Sequence, residues 1–240
     1  MIPGHCGTPG APLLRATVEA ERNAAIQTIE SIELHAGQLS FSALACGTGP
    51  VVLCLHGFPD HAGSFRFQLP ALADGGYRAI APTLRGYEPS SQPPDGDYHL
   101  VRMAEDVIAW LDELGEERVH LVGHDWGAVI GYVVGAMAPE RFRSLTTLAI
   151  PHPGRLREGL RAHPIQLRNS WYMLFFQLRG LADFAVSWRD WALIEKLWRD
   201  WSPGWEWDPD DMTSLKETFR QATRLEAAFW DMGMHAVDRS

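Results

Sequence analysis

Gly123-His124-Asp125-Trp126-Gly127 sets a carboxylate midway between two glycines, after the apolar run Val119-His120-Leu121-Val122 and before a helix-forming stretch. A strand that turns sharply into a helix needs that spacing. The glycines let the backbone pass close to itself. The central side chain is then held clear at a helix N-terminus, where the helix dipole favours a negative charge. A carboxylate held that way can attack an electrophilic carbon. Asp is also a common helix cap, so on residue type alone Asp125 could serve only to close the helix end. The second signal is His56-Gly57-Phe58-Pro59-Asp60, directly after the apolar run 51–55. A turn there aims a backbone N–H at the elbow. The N–H groups of Phe58 and Trp126 are the candidate pair for holding an oxyanion. Without the elbow, the same turn reads as one closed by Gly and Pro.

Those residues need elements to position them. Residues 28–34 and 38–46 are β-rich around Ala36-Gly37, which predicts a hairpin. The runs 51–55 and 78–82 are continuously apolar, as strands buried on both faces are. Residues 62–74 predict a helix, and 83–98, rich in Pro, Gly, Ser and Asp, a long loop. Met103, Val107, Leu111 and Leu114 recur at helical spacing up to Gly115. A strand at 119–122, a helix at 126–137 and a strand at 145–150 follow. Alternating strands and helices predict an α/β fold with a mostly parallel sheet. Beyond Pro153 the character changes, and eight of the ten tryptophans stand at 171 or later. Trp191, Ile194, Trp198 and Trp201 recur at helical spacing, as do Met212, Leu215 and Phe219, a pattern that reads as core packing. Residues 153–228 therefore predict a helical module, with no strand after 150.

Composition narrows the partners. The chain of 240 residues carries a net charge of −9, which repels phosphate backbones and argues against nucleic acid. Arg155, Arg157, Arg161 and Arg168 form the one local basic candidate, and the reading for them is a solvated helix face. Cys6, Cys46 and Cys54 have neither even number nor paired spacing, which fits a reducing, cytoplasmic setting rather than a disulfide or thiolate-zinc scaffold. No metal or cofactor is expected; His120 and His124 lack a third ligand. No apolar run is long enough to span a membrane. Residues 1–24 read as a flexible leader.

Taken together, His56 to Asp60, Ser64-Phe65-Arg66-Phe67-Gln68, Leu84-Arg85-Gly86-Tyr87, Gly123 to Gly127 and Trp171-Tyr172-Met173-Leu174-Phe175-Phe176-Gln177 resemble the α/β-hydrolase family and, within it, the epoxide hydrolases. The resemblance covers about 28–228. It implies an α/β-hydrolase core over 25–152, a helical cap over 153–228 and an atypical tail over 229–240. It also implies an apolar epoxide as substrate. In that family an elbow Asp attacks an epoxide carbon and forms an alkyl-enzyme ester, a cap Tyr protonates the opening oxygen, and a His with an acid activates water. Asp125 matches the nucleophile and Tyr172 the first cap Tyr; by residue type alone Tyr172 could equally be a packing aromatic. Haloalkane dehalogenases are similar. They tend to carry Asn where Phe58 stands, and fluoroacetate dehalogenases tend to carry Arg where Trp126 stands. Both differences lean towards epoxide opening.

The family sets its base and acid after two further strands, and the sequence 229–240 matches neither. The second cap Tyr has no counterpart, because Phe229-Trp230-Asp231-Met232 stands at that point. His235 is read as a solvent-facing tail residue. The expectation is therefore a sheet without its last strands, slow turnover or a non-catalytic remnant, and self-association through the strand 145–150, left at an apolar edge.

Overall fold

A computed structural model of the chain describes residues 28–152, 154–155, 162, 165, 171–176, 178 and 181–221. The leader 1–24, the tail 229–240 with His235, and Arg157, Arg161 and Arg168 lie outside them. Six strands form one sheet: β1 (Glu30–Ala36), β2 (Leu39–Cys46), β3 (Val51–Leu55), β4 (Arg78–Pro82), β5 (Val119–His124) and β6 (Phe142–Leu148). Their order is β1-β2-β4-β3-β5-β6. The hairpin β1–β2 runs antiparallel onto β4, and β4, β3, β5 and β6 are parallel.

The alternation of side chains along β3 divides the core. Val51, Leu53 and Leu55 face one side, with Phe41, Ile80 and Leu121. Val52 and Cys54 face the other, with Leu69, Ala73 and Ala79. Helix α1 (Gln68–Asp74) covers the second face. Helices α2 (Leu100–Glu113) and α3 (Trp126–Met137) cover the first, where Trp110 of α2 stands edge-on to Phe41 at 5.0 Å. Gly115 ends the α2 segment at φ +69°, a conformation glycine adopts without penalty. Among the described residues, three further helices have defined bounds: α4 (Trp171–Phe175), α5 (Leu181–Trp201) and α6 (Pro209–Gln221). No strand occurs after 148 among the described residues.

Three expectations need correction. The predicted helix 62–74 divides into a 3-10 turn, Ala62–Phe65, and α1. The last strand is Phe142–Leu148, not 145–150; Ala149 turns out at φ 69° and Ile150 lies in a bend. Its first residues were missed because Arg143 and Ser144 interrupt the apolar run, as an exposed strand permits. The stripe Trp191–Trp201 is not one continuous helical face either. Within α5 the backbone leaves the helix at Trp188–Trp191, with Arg189, Asp190 and Trp191 all at positive φ.

Candidate active site

Asp125 sits between β5 and α3 at φ 53°, ψ −115°. That is strained territory for a residue with a Cβ, and such strain persists only where the surroundings over-determine it. Here the determinants are close backbone contacts. A Cβ on Gly123 would stand 2.3 Å from the Gly127 carbonyl oxygen, and one on Gly127 would stand 2.1 Å from that of Leu55. The Gly127 N–H donates to His56 O at 2.9 Å, and the Asp125 N–H donates to Leu148 O at 3.2 Å. The turn is thus stitched to β3 on one side and β6 on the other.

The loop after β3 closes on the same carboxylate. The Phe58 N–H donates to Asp125 Oδ1 at 2.8 Å. A Cβ on Gly57 would lie 2.3 Å from that of Asp125, so only glycine allows this approach. His56 holds the loop in shape. Its Nε2 accepts the Leu84 N–H at 3.0 Å, which leaves Nδ1 to donate to Gly57 O at 3.0 Å. Burial drives His56 down to about 3, so it stays neutral and keeps that tautomer. Arg85, in the next loop, makes two bonds to Asp106 of α2 at 2.6 and 2.7 Å and a third to Asp97 O at 3.2 Å.

Electrostatics at the centre are mixed. Burial pushes the Asp125 carboxyl up, while the N–H groups of Phe58 and Trp126 and the nearby His124 pull it down. The phenol of Tyr172, on α4, is pushed up to about 12, first by burial and then by the charge of Asp125. Of the residues singled out in the sequence, Phe58 and Trp126 bring their N–H groups to the Asp125 carboxylate, and Tyr172 feels its charge. Around it stands an aromatic wall. Phe58 is edge-on to Phe176 at 5.3 Å, Tyr172 lies against Trp201 at 4.8 Å, and Phe219 of α6 stacks on Trp191 at 5.7 Å. The Trp198 indole N–H donates to Pro59 O at 2.7 Å, tying α5 to the loop that carries Phe58.

Two members of the site were missed from sequence. Asp60 shares the field of Asp125 and His124, and burial lifts it from 3.8 to about 6. Its Oδ1 accepts the His61 N–H at 2.9 Å and a short bond from the Ser64 hydroxyl. An acid directly after the Gly-x-Pro turn was the available signal. Tyr87 is buried, donates to Gly57 O at 3.3 Å and feels both Asp125 and Asp60. By contrast His120, weighed as a metal ligand, bonds Ser144 at 2.8 Å across β5 and β6.

Comparison with known proteins agrees with this geometry. A family model described as alpha/beta hydrolase fold matches residues 50–226. Epoxide hydrolase 3 of Siraitia grosvenorii is 41% identical over 65% of this chain and 51% of its own length. Epoxide hydrolase A of Mycobacterium tuberculosis is 40% identical over 58% of this chain and 44% of its own. The chain thus spans about half the length of those relatives. Among solved structures, an epoxide hydrolase from Vigna radiata superposes with a TM-score of 0.69 at 29% identity, over 84% of this chain and 70% of that one. An epoxide hydrolase variant from Bacillus megaterium, complexed with its naphthyloxy-propanediol product, gives 0.74 at 26% identity, over 83% and 70%.

Proposed function

The chain belongs to the α/β hydrolase family, with the epoxide hydrolases among its relatives, and we propose that it opens apolar epoxides by attack of Asp125. The observation that carries this reading is the Phe58 N–H on Asp125 Oδ1 at 2.8 Å. That contact assigns the two oxygens different tasks. Oδ2 attacks an epoxide carbon. The carbon–oxygen bond of the ring breaks, its electron pair passes to the ring oxygen, and the Tyr172 hydroxyl supplies the proton. Oδ1 becomes the carbonyl oxygen of the resulting ester. Water then adds to the ester carbon and its released proton, passed through solvent, restores the Tyr172 hydroxyl, while Oδ1 takes the negative charge beside the N–H groups of Phe58 and Trp126. Release of Asp125 then yields the diol. A carboxylate suits this chemistry because its ester can be hydrolysed, whereas a serine ether could not.

The aromatic wall supports an apolar substrate, and the absence of Asn at Phe58 and Arg at Trp126 favours epoxide over halide. His56 spends both ring nitrogens on the loop and stays neutral, so it does not serve as the base. Without base assistance the second step runs about 10²–10⁴-fold slower than with it. The division into a core at 25–152, a cap at 153–228 and a tail at 229–240 belongs to the same proposal. So does a cytoplasmic setting, supported by free buried Cys46 and Cys54. No helix among the described residues is long and apolar enough to cross a membrane. Self-association through β6 completes the proposal.

The test is a progress curve with styrene oxide. The expected trace is consumption of one equivalent per folded chain, then a slow phase. Tyr172→Phe should slow the first phase by about 10²–10⁴-fold, and Asp125→Asn should abolish it. A first phase that survives Asp125→Asn would overturn the assignment.

A further inference from the structure

Helix α6 carries two stripes. Met212, Leu215 and Phe219 are buried in the core. Asp210, Thr213, Ser214, Glu217, Thr218 and Gln221 recur at three- and four-residue spacing beside them, and this polar stripe lines a cavity of about 610 Å³. The volume lies within the range of small-molecule sites, roughly 300–1,000 Å³. Its opposite wall comes from the core: Thr83, Tyr87, Glu88 and His61.

The wall is rich in acceptors. The hydroxyls of Thr213 and Thr218 donate back to Pro209 O at 2.9 Å and Ser214 O at 3.1 Å, so they present lone pairs to the cavity. Glu88, Asp210 and Glu217 add carboxylates, of which Glu88 also accepts from Ser42 and Glu217 from Arg220 and Gln221, and among the described residues no Lys or Arg lines the space. Such a wall repels anions and suits ligands that bring O–H donors. Tyr87 forms the boundary with the reacting centre. It lines the cavity, yet its hydroxyl bonds Gly57 O, and Gly57 backs directly onto Asp125. On the Tyr172 side the reacting centre is walled by Phe58, Phe176 and Trp201. An apolar epoxide and its hydroxylated product differ in the very property that separates these two walls.

We propose that the cavity between α6 and the loop after β4 is a binding site for the vicinal diol product, distinct from the aromatic site where the epoxide reacts. The choice of ligand rests on the epoxide-opening reading. A diol leaving Asp125 exchanges contact with aromatic rings for acceptors that satisfy both hydroxyls, with ordered water filling the remainder.

Equilibrium dialysis of phenylethanediol against the full chain tests this. Thr213→Leu/Thr218→Leu fills the acceptor stripe without touching the buried stripe of α6, and circular dichroism checks its fold. The double variant should raise the diol Kd about tenfold or more while its alkylation by styrene oxide stays within about twofold of the unsubstituted chain. Tyr172→Phe should leave diol binding unchanged. Diol binding untouched by the double variant, or lost in Tyr172→Phe alone, would overturn the site. So would an unsubstituted chain that binds no diol. Failure of the unsubstituted chain to be alkylated would count against the epoxide reading instead, because dialysis needs no reaction.

Discussion

At Asp125 a backbone strain, two N–H donors and burial act on a single carboxylate. Its neighbour Asp60 shows what that environment costs. Burial lifts Asp60 from 3.8 to about 6, with the charge of Asp125 adding to the rise. A carboxyl whose folded pKa is raised binds its proton more tightly folded than unfolded. Its favourable contribution is therefore complete below the unfolded pKa and is lost as pH rises through about 6. Asp60→Asn should stabilise the chain by about 1–3 kcal/mol near pH 8 and by almost nothing near pH 4. Urea unfolding at the two pH values reads this directly, and an equal shift at both would contradict it. At this scale the elbow carboxylate and the two N–H groups that reach it were legible, because two glycine-framed turns after apolar runs restrict where the backbone can go. Asp60 was not. Its significance comes from a neighbour 65 positions along the chain, which no local pattern reports.

The elements hold the site through a few cross-ties rather than through general packing. Arg85 and Asp106 form a buried two-bond pair at 2.6 and 2.7 Å that fixes the long loop to α2. Breaking a buried pair from one side strands the other charge, at a cost of about 3–5 kcal/mol. Asp106→Ala should lose that much in urea unfolding, while the paired change Asp106→Leu with Arg85→Met should recover most of it. A single change costing less than about 1 kcal/mol would contradict the role. The strands β3, β4 and β5 and helices α2 and α3 were legible from apolar runs and spacing, because both faces of the sheet are covered. The break at Trp188–Trp191 was not, since residues with ordinary helical tolerance occupy it; Asp190 there pairs with Lys216 and Arg220 of α6, contacts that no local pattern reports. Trp198 was read as packing from its spacing; the ring does pack, yet its N–H also ties the Phe58 loop.

Across the whole molecule the two sheet edges differ. β1 carries the charged Glu30 and Glu33, which discourage pairing. β6 presents Leu145 and Leu148 at 38% and 46% exposure, with no neighbouring strand beyond it among the described residues. The apolar edge was legible as soon as the order of strands was, although its bounds were not. Light scattering should find the 240-residue chain associated, and Leu148→Lys should shift it towards monomer. A monodisperse monomer of the unsubstituted chain would contradict this.

The whole account depends on a bond between Asp125 and substrate carbon. Incubation with styrene oxide, rapid acid quench, proteolysis and mass analysis locate any such bond. The predicted result is one added substrate on the peptide containing Asp125, absent from Asp125→Asn. Folded protein that carries no adduct, or carries it on another residue, would contradict the account.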